Sequence, residues 1–281
     1  MKALSLKNQK GIGLLEVLIA LLISGILVTA GFTIYLEQHR GWIIQEQVSE
    51  MQQNAKAGMR ELTTRIRMAG YNLPLGVEPI AAANTNPDTI TVMFQNELTC
   101  SATVEWDMPQ PSSELRCDGH DVSCFQESTW AYIYDAAADT GEFFYITQVQ
   151  TGSSHIQHHP VAEISTGDLS RCYPKGSIVM MIDMYKYFID NTTDSLHPKL
   201  MVVHPAVGAI SPQVYAEDIE NLQFTYTVAS GVEVDVPPSG LLVREVGISL
   251  VARTEKTDLQ FEDQHRKRNL VSKVKIRNLG Q

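Results

Sequence analysis

The sequence predicts an α+β chain: a long N-terminal α-helix, with a membrane half and an amphipathic half, packed on an antiparallel β-rich globular head. Three observations predict it. Residues 11–36 are apolar or small and uncharged apart from Glu16, and Lys2, Lys7 and Lys10 precede them. No proline lies between Gly11 and Leu73, so nothing stops a helix at the end of the apolar run. Beyond about residue 75, runs of Val, Ile, Tyr, Phe and Thr recur between turn-forming residues.

The apolar run comes first. A bilayer core takes about 20 apolar residues to cross as a helix, and residues 12–36 suffice with some tilt. The preceding lysines hold the N-terminus in the cytoplasm. A cleaved secretory signal has an apolar core of about 7–15 residues and a small-x-small site after it. Here Tyr35, Leu36, Glu37 and Gln38 follow, with no such site. Glu16 is the sharper clue. A carboxylate costs about 2.5–3.5 kcal/mol at mid-membrane and less near the interface, so it calls for a partner. A plain anchor leaves it unexplained.

The second half of the helix is amphipathic. Ile44, Val48, Met51, Ala55, Met59, Leu62, Ile66 and Ala69 recur at spacings of three and four and form one narrow stripe. A helix over residues 12–70 would be about 88 Å long at 1.5 Å per residue. Gly70 and then Pro74 supply the stop. The stripe covers only about four heptads and a large domain follows directly, so packing on a sheet is expected rather than a coiled-coil stalk.

The head reads as strands at 89–95, 102–107, 129–135, 142–150, 177–190, 199–204, 221–229, 242–253 and 271–277. Residues 108–128, rich in Pro, Ser, Asp and Cys, read as a long surface loop. A short helix is expected at 215–220. No long amphipathic helix recurs, which argues against parallel βαβ units. About two hundred residues are enough to bury a full core.

The string Lys10-Gly11-Ile12-Gly13-Leu14-Leu15-Glu16 closely resembles the type IV prepilin signature. In that signature a basic leader ends in glycine, a hydrophobic residue follows, and a glutamate sits five positions past the cut. The resemblance implies that a prepilin peptidase cuts between Gly11 and Ile12 and methylates the new amine of Ile12. It also gives Glu16 a role in assembly and register, pairing with the α-amine of a neighbouring subunit. An α-amine, with a pKa near 8, is largely protonated at neutral pH. Burying both charges together fixes axial register more surely than it adds stability. Ile12 stands where Phe or Met is commoner, Gly13 where Thr is common, and Thr33 where major pilins often place proline. The missing proline argues for a minor subunit.

Three later strings resemble PilW-type minor pilins: Arg65-Ile66-Arg67-Met68-Ala69-Gly70-Tyr71, the run from Ala216 to Gln223, and Val274-Lys275-Ile276-Arg277-Asn278. The J-type pseudopilin of type II secretion shares the signature and the helix-on-sheet plan. The implied division is a leader at 1–11, a membrane and filament-core helix at 12–36, an amphipathic half at 37–72 and a periplasmic head at 73–281. The implied partners are the prepilin peptidase, other major and minor pilins, the inner-membrane assembly platform and a tip adhesin. The implied setting is the bacterial inner membrane and then a pilus, with a role in priming assembly or in the tip complex. A static membrane-anchored binding protein is the reading that remains if the signature is coincidence.

The head's chemistry is sparse. Cys100, Cys117, Cys124 and Cys172 all follow the membrane span, which fits an oxidising periplasm. Three pairings are open, and the turn-like Asp118-Gly119-His120-Asp121 slightly favours a local Cys117–Cys124 bond. No CxxC spacing suggests zinc. His155, His158 and His159 read as an exposed loop rather than metal ligands, because no carboxylate keeps step with them. Asp118, Asp121, Asp190 and Asp194 lack the carboxylate rhythm of a calcium loop. Asn191-Thr192-Thr193 matches a glycosylation sequon, a pattern with many false positives. The mixed-charge run at 255–268 reads as a solvated loop. There is no glycine-rich phosphate loop, GxSxG elbow or zinc-protease helix, so neither an enzyme nor a cofactor is expected. A net charge of −10 makes nucleic acid a poor partner.

Overall fold

The computed structural model describes residues 13–74, 77–95, 100–158, 169–204, 209–258, 261–262 and 264–278. Among the described residues one α-helix, α1, runs Leu14–Met68. The chain divides into two compact units, Met1–Ser49 and Glu50–Gln281.

In the first unit α1 is exposed over residues 14–40. Leu14 is 82 % exposed and Val28 72 %, and the large apolar side chains between them are also exposed. The hydroxyl side chains of this stretch are satisfied by the helix itself. The hydroxyls of Ser24, Thr29 and Thr33 donate to the carbonyls of Leu21, Gly25 and Thr29 at 2.8–3.0 Å. A helix in lipid needs this internal satisfaction, since no water is at hand to replace it.

In the second unit α1 becomes a core element. Met51, Ala55, Gly58, Leu62, Ile66 and Ala69 are buried. The predicted stripe is matched from Met51 on except at Met59, which lies at the boundary while Gly58 faces inward; Ile44 and Val48 are only partly buried. The helix ends where Gly70 adopts a φ of 77°, a left-handed conformation that glycine reaches at no steric cost.

The strands begin with β1 (Ile80–Ala83), β2 (Thr89–Phe94), β3 (Ser101–Thr103), β4 (Leu115–Arg116) and β5 (Thr129–Asp135). Next come β6 (Thr140–Gln150), β7 (His155–His158), β8 (Ile178–Met180), β9 (Asp183–Asp190) and β10 (Lys199–His204). Then follow β11 (Ala209–Glu217), β12 (Ile219–Val228), β13 (Glu233–Val234), β14 (Val243–Arg253) and β15 (Lys267–Lys275). They form three antiparallel sheets, ordered β1-β2-β9-β10-β11, β13-β12-β14-β15 and β3-β8-β5-β6-β7-β4. The architecture is α+β, one long helix followed by an antiparallel β-rich head.

The helix packs against the first two sheets together. A Cβ on Gly58 would stand 3.1 Å from Leu200 Cδ2 on β10 and 3.3 Å from Leu250 Cδ1 on β14. One turn on, the Tyr187 hydroxyl of β9 donates to Glu61 Oε1 at 2.8 Å, and so does Arg65 Nε. The Arg65 guanidinium lies 4.0 Å from the centre of the Tyr185 ring. Burial and then Glu61 push the Tyr187 phenol well above its usual range. At the helix end, Gly70 N–H donates to Met93 O at 3.0 Å. The third sheet has its own core, including Val104, Leu115, Ile133, Phe144, Ile146, Ile156 and Val179.

Four expectations give way. The strand expected over 177–190 is two strands, broken at the buried Met181 and Ile182. There Met181 N–H donates to Cys100 O, and the chain leaves the third sheet for the first. The short helix expected at 215–220 is instead the end of β11 and the start of β12. Cross-strand partners Lys199↔Glu217 and Leu200↔Ala216 override local propensity, and Asp218 turns the chain at φ 56°. The loop at 108–128 is not a surface loop throughout, since it buries Met108, Leu115, Cys117, Val122 and Phe125. The run 255–268 is exposed over much of its length but includes the bridge Asp258↔Gln264, with Asp258 buried, and the first residues of β15.

Candidate functional site

Glu16 stands exposed in the first turn of α1, and its N–H donates to Gly13 O at 3.0 Å. A carboxylate there is favoured by the positive end of the helix dipole. Ile19, Ala20 and Ile23 follow on the same face. With Gly13 and Leu15 they line a shallow apolar recess beside the carboxylate. Gly11 and Ile12 lie outside the described residues. Further along, Tyr35, His39 and Trp42 stack in sequence at 6.0 and 6.2 Å, and Glu37 pairs with Arg40. Amphipathic rings and paired charges suit the level of lipid headgroups.

In the head, Cys100 and Cys124 form a disulfide with a Cα–Cα distance of 5.5 Å. The local Cys117–Cys124 pairing is therefore not the one formed. Cys117 faces the core of the third sheet as a buried thiol, and Cys172 is an exposed thiol. Burial, reinforced by the charges of Asp118 and Glu105, pushes the Cys117 thiol up to about 12.

His155 and His158 are not in an exposed loop. His155 and His158 belong to β7, and His158 is buried with Nε2 at 2.9 Å from Ser113 O. His155 Nδ1 lies 3.3 Å from Glu114 Oε1 and its Nε2 3.1 Å from Asp118 Oδ1. These carboxylates come from the segment around β4, which pairs with β7 through Arg116↔His155. Local rhythm misses them because they are far away in the chain. His159 lies outside the described residues. No group of three or more His, Cys, Asp or Glu side chains among the described residues could hold a metal ion.

The acidic candidates shape turns. Asp190 Oδ1 accepts from Thr192 N, Thr193 N and Thr192 Oγ1 at 2.9–3.1 Å, which holds its carboxyl well below the usual range. Asp121 accepts from Ser123 N at 2.8 Å and is likewise lowered, and Asp194 accepts from Leu196 N at 3.0 Å. The sequon at Asn191 occupies the same exposed turn as Asp190. The basic run near 266 has local partners. Arg266 pairs with Asp258 at 2.7 Å, and Lys267 pairs with Glu220 at 2.7 Å.

Residues 6–32 match the prokaryotic N-terminal methylation motif. No curated protein and no solved structure matches the chain. The motif implies processing by a prepilin peptidase and assembly with other pilins. Together with an apolar helix long enough to cross a membrane, it supports a membrane-anchored, single-pass protein. Motif, helix and β-rich head together support a pilin-like or pseudopilin-like structural subunit.

Proposed function

We propose that this chain is a minor pilin-like structural subunit of a type IV pilus. It is made as a prepilin with a leader at 1–11, cut after Gly11 and methylated at Ile12. Residues 12–36 hold it in the inner membrane, with the N-terminus in the cytoplasm and the head in the periplasm. Residues 37–72 join that span to the head. The carrying observation is Glu16, exposed at the start of a helix whose apolar surface over residues 14–36 no described residue buries. A neighbouring subunit's α-amine would neutralise that charge, and neighbouring spans would cover the helix. A head this large crowds a uniform shaft, which favours a place in the priming complex or at the tip, alongside a tip adhesin. The J-type pseudopilin is the second reading, since it shares both the signature and the helix-on-sheet plan.

N-terminal peptide mass spectrometry on membrane-extracted protein, with the prepilin peptidase present and deleted, tests the proposal. The expected result is a chain starting at methylated Ile12 only when the peptidase is present. A chain that keeps Met1 in both strains sinks the proposal and leaves a static anchored protein. Co-purification with pilus fibres rather than with a secretion apparatus separates the two filament readings.

A further inference from the structure

Trp106 is an exposed aromatic beside the third sheet whose ring is held by a hydrogen bond. It lies between β3 and β4 and is 60 % exposed. Its indole N–H donates to Asp118 Oδ2 at 2.7 Å. Asp118 is in turn braced by His155, and His155 by Glu114. The backbone on either side is tied down as well. Glu105 N–H donates to Arg116 O at 2.8 Å, and Met108 N–H donates to Tyr173 O at 3.1 Å. Asp107 Oδ1 accepts from Lys175 N at 2.7 Å. The Cys100–Cys124 disulfide closes the segment that carries Trp106, Glu114, Arg116 and Asp118.

An exposed indole restrained at both its ring nitrogen and its backbone is pre-organised, so little ordering entropy remains to oppose binding. Open grooves of about 370 and 350 Å³ flank it. Among the residues lining them, Pro109 is the one apolar side chain besides the indole. The rest are polar, with the ion pair Glu114–Arg116 on one side and Glu105–Lys175 on the other. A protein-binding hot spot sits within a ring of contacts that excludes water, and this rim does not supply one. A flat apolar plate rimmed by hydrogen-bonding groups of both kinds matches a different ligand. A pyranose ring presents an apolar C–H face to stack on the plate and equatorial hydroxyls that both donate and accept.

We propose that Trp106 is the stacking platform of a carbohydrate-binding site, taking a pyranose ring with Arg116 and Glu114 within reach of its hydroxyls. The site belongs to the head alone, so it stands or falls independently of how the N-terminus is processed.

Saturation-transfer NMR on the full chain in a sugar-free detergent tests it, with methyl glycosides of glucose, galactose, mannose and N-acetylglucosamine as probes. At least one glycoside should receive saturation on its ring protons. Trp106→Ala should weaken that binding at least ten-fold, Trp106→Phe should weaken it less, and Trp42→Ala should leave it unchanged. Unfolding midpoints of the variants report whether the head is intact, and Trp106→Phe keeps the test usable if Trp106→Ala unfolds. Absence of transfer to every glycoside overturns the proposal, as does undiminished binding by Trp106→Ala. A photo-crosslinker at position 106 that captures another pilin subunit, without glycoside binding, would assign the indole to a protein contact instead.

Discussion

Gly58 sets how closely α1 approaches the sheets beneath it. With Leu200 and Leu250 already 3.1 and 3.3 Å from where a Cβ would stand, alanine can be admitted by small shifts of two flexible leucines. It also recovers about 0.8–1 kcal/mol of helix propensity, so Gly58→Ala should be nearly neutral. Gly58→Val overpacks both contacts and should destabilise the head by about 1–3 kcal/mol in chemical denaturation. Tyr187 illustrates the polar side of the same interface. Its buried hydroxyl donates to the Glu61 carboxylate, and Tyr187→Phe should cost about 1.5–3 kcal/mol. The Cys117 thiol gives a pH prediction. The unfolded thiol titrates near 9 and the folded one near 12, so the folded state holds its proton longer. Stability from this group is complete below about pH 9 and is lost as pH rises toward 12. Denaturation at pH 8 and 10.5 should show a fall in the wild type that Cys117→Ala reduces.

At the scale of elements, the segment between β3 and β5 departs furthest from what local patterning suggests. Its Pro, Ser and Asp content reads as solvent-loving, yet Leu115, Cys117, Val122 and Phe125 close the third sheet's core. The disulfide spans a sequence separation of 24 and restricts the unfolded chain accordingly. Replacing Cys100 and Cys124 with serine should lower head stability by about 2–4 kcal/mol. Thiol labelling of the native protein should modify Cys172 alone, with Cys117 reacting only after unfolding. The sheet of β12, β14 and β15 was legible because Leu222, Phe224 and Tyr226, and then Val246, Ile248 and Leu250, alternate with polar residues. β11 was not, because an edge strand made of Ala-Ile-Ser-Pro-Gln-Val-Tyr-Ala-Glu carries no such rhythm.

For the whole molecule, the proposed role places the decisive charge at one end of the chain. Glu16→Ala should leave membrane insertion intact, and would ease it, because a costly carboxylate is gone from the span. The same change should abolish incorporation into a filament, read by immunoblot of sheared fibres against membranes. Normal incorporation would remove Glu16 from the assembly role. Gly11 and Ile12 carry the processing side of the same proposal, and sequence alone speaks for them.

The sequence by itself determined the long helix, its stop at Gly70, the prepilin-like motif and the β-rich character of the head. Each depends on neighbours a few residues apart, whose spacing shows directly which face is apolar. Tertiary structure alone decided that Cys100 pairs with Cys124, that Glu114 and Asp118 flank His155, and that Gly58 rather than Met59 faces the sheets. Those outcomes join residues about 24 to 190 positions apart or turn on sub-ångström fit, and such contacts are settled by chain packing that leaves no trace in local pattern.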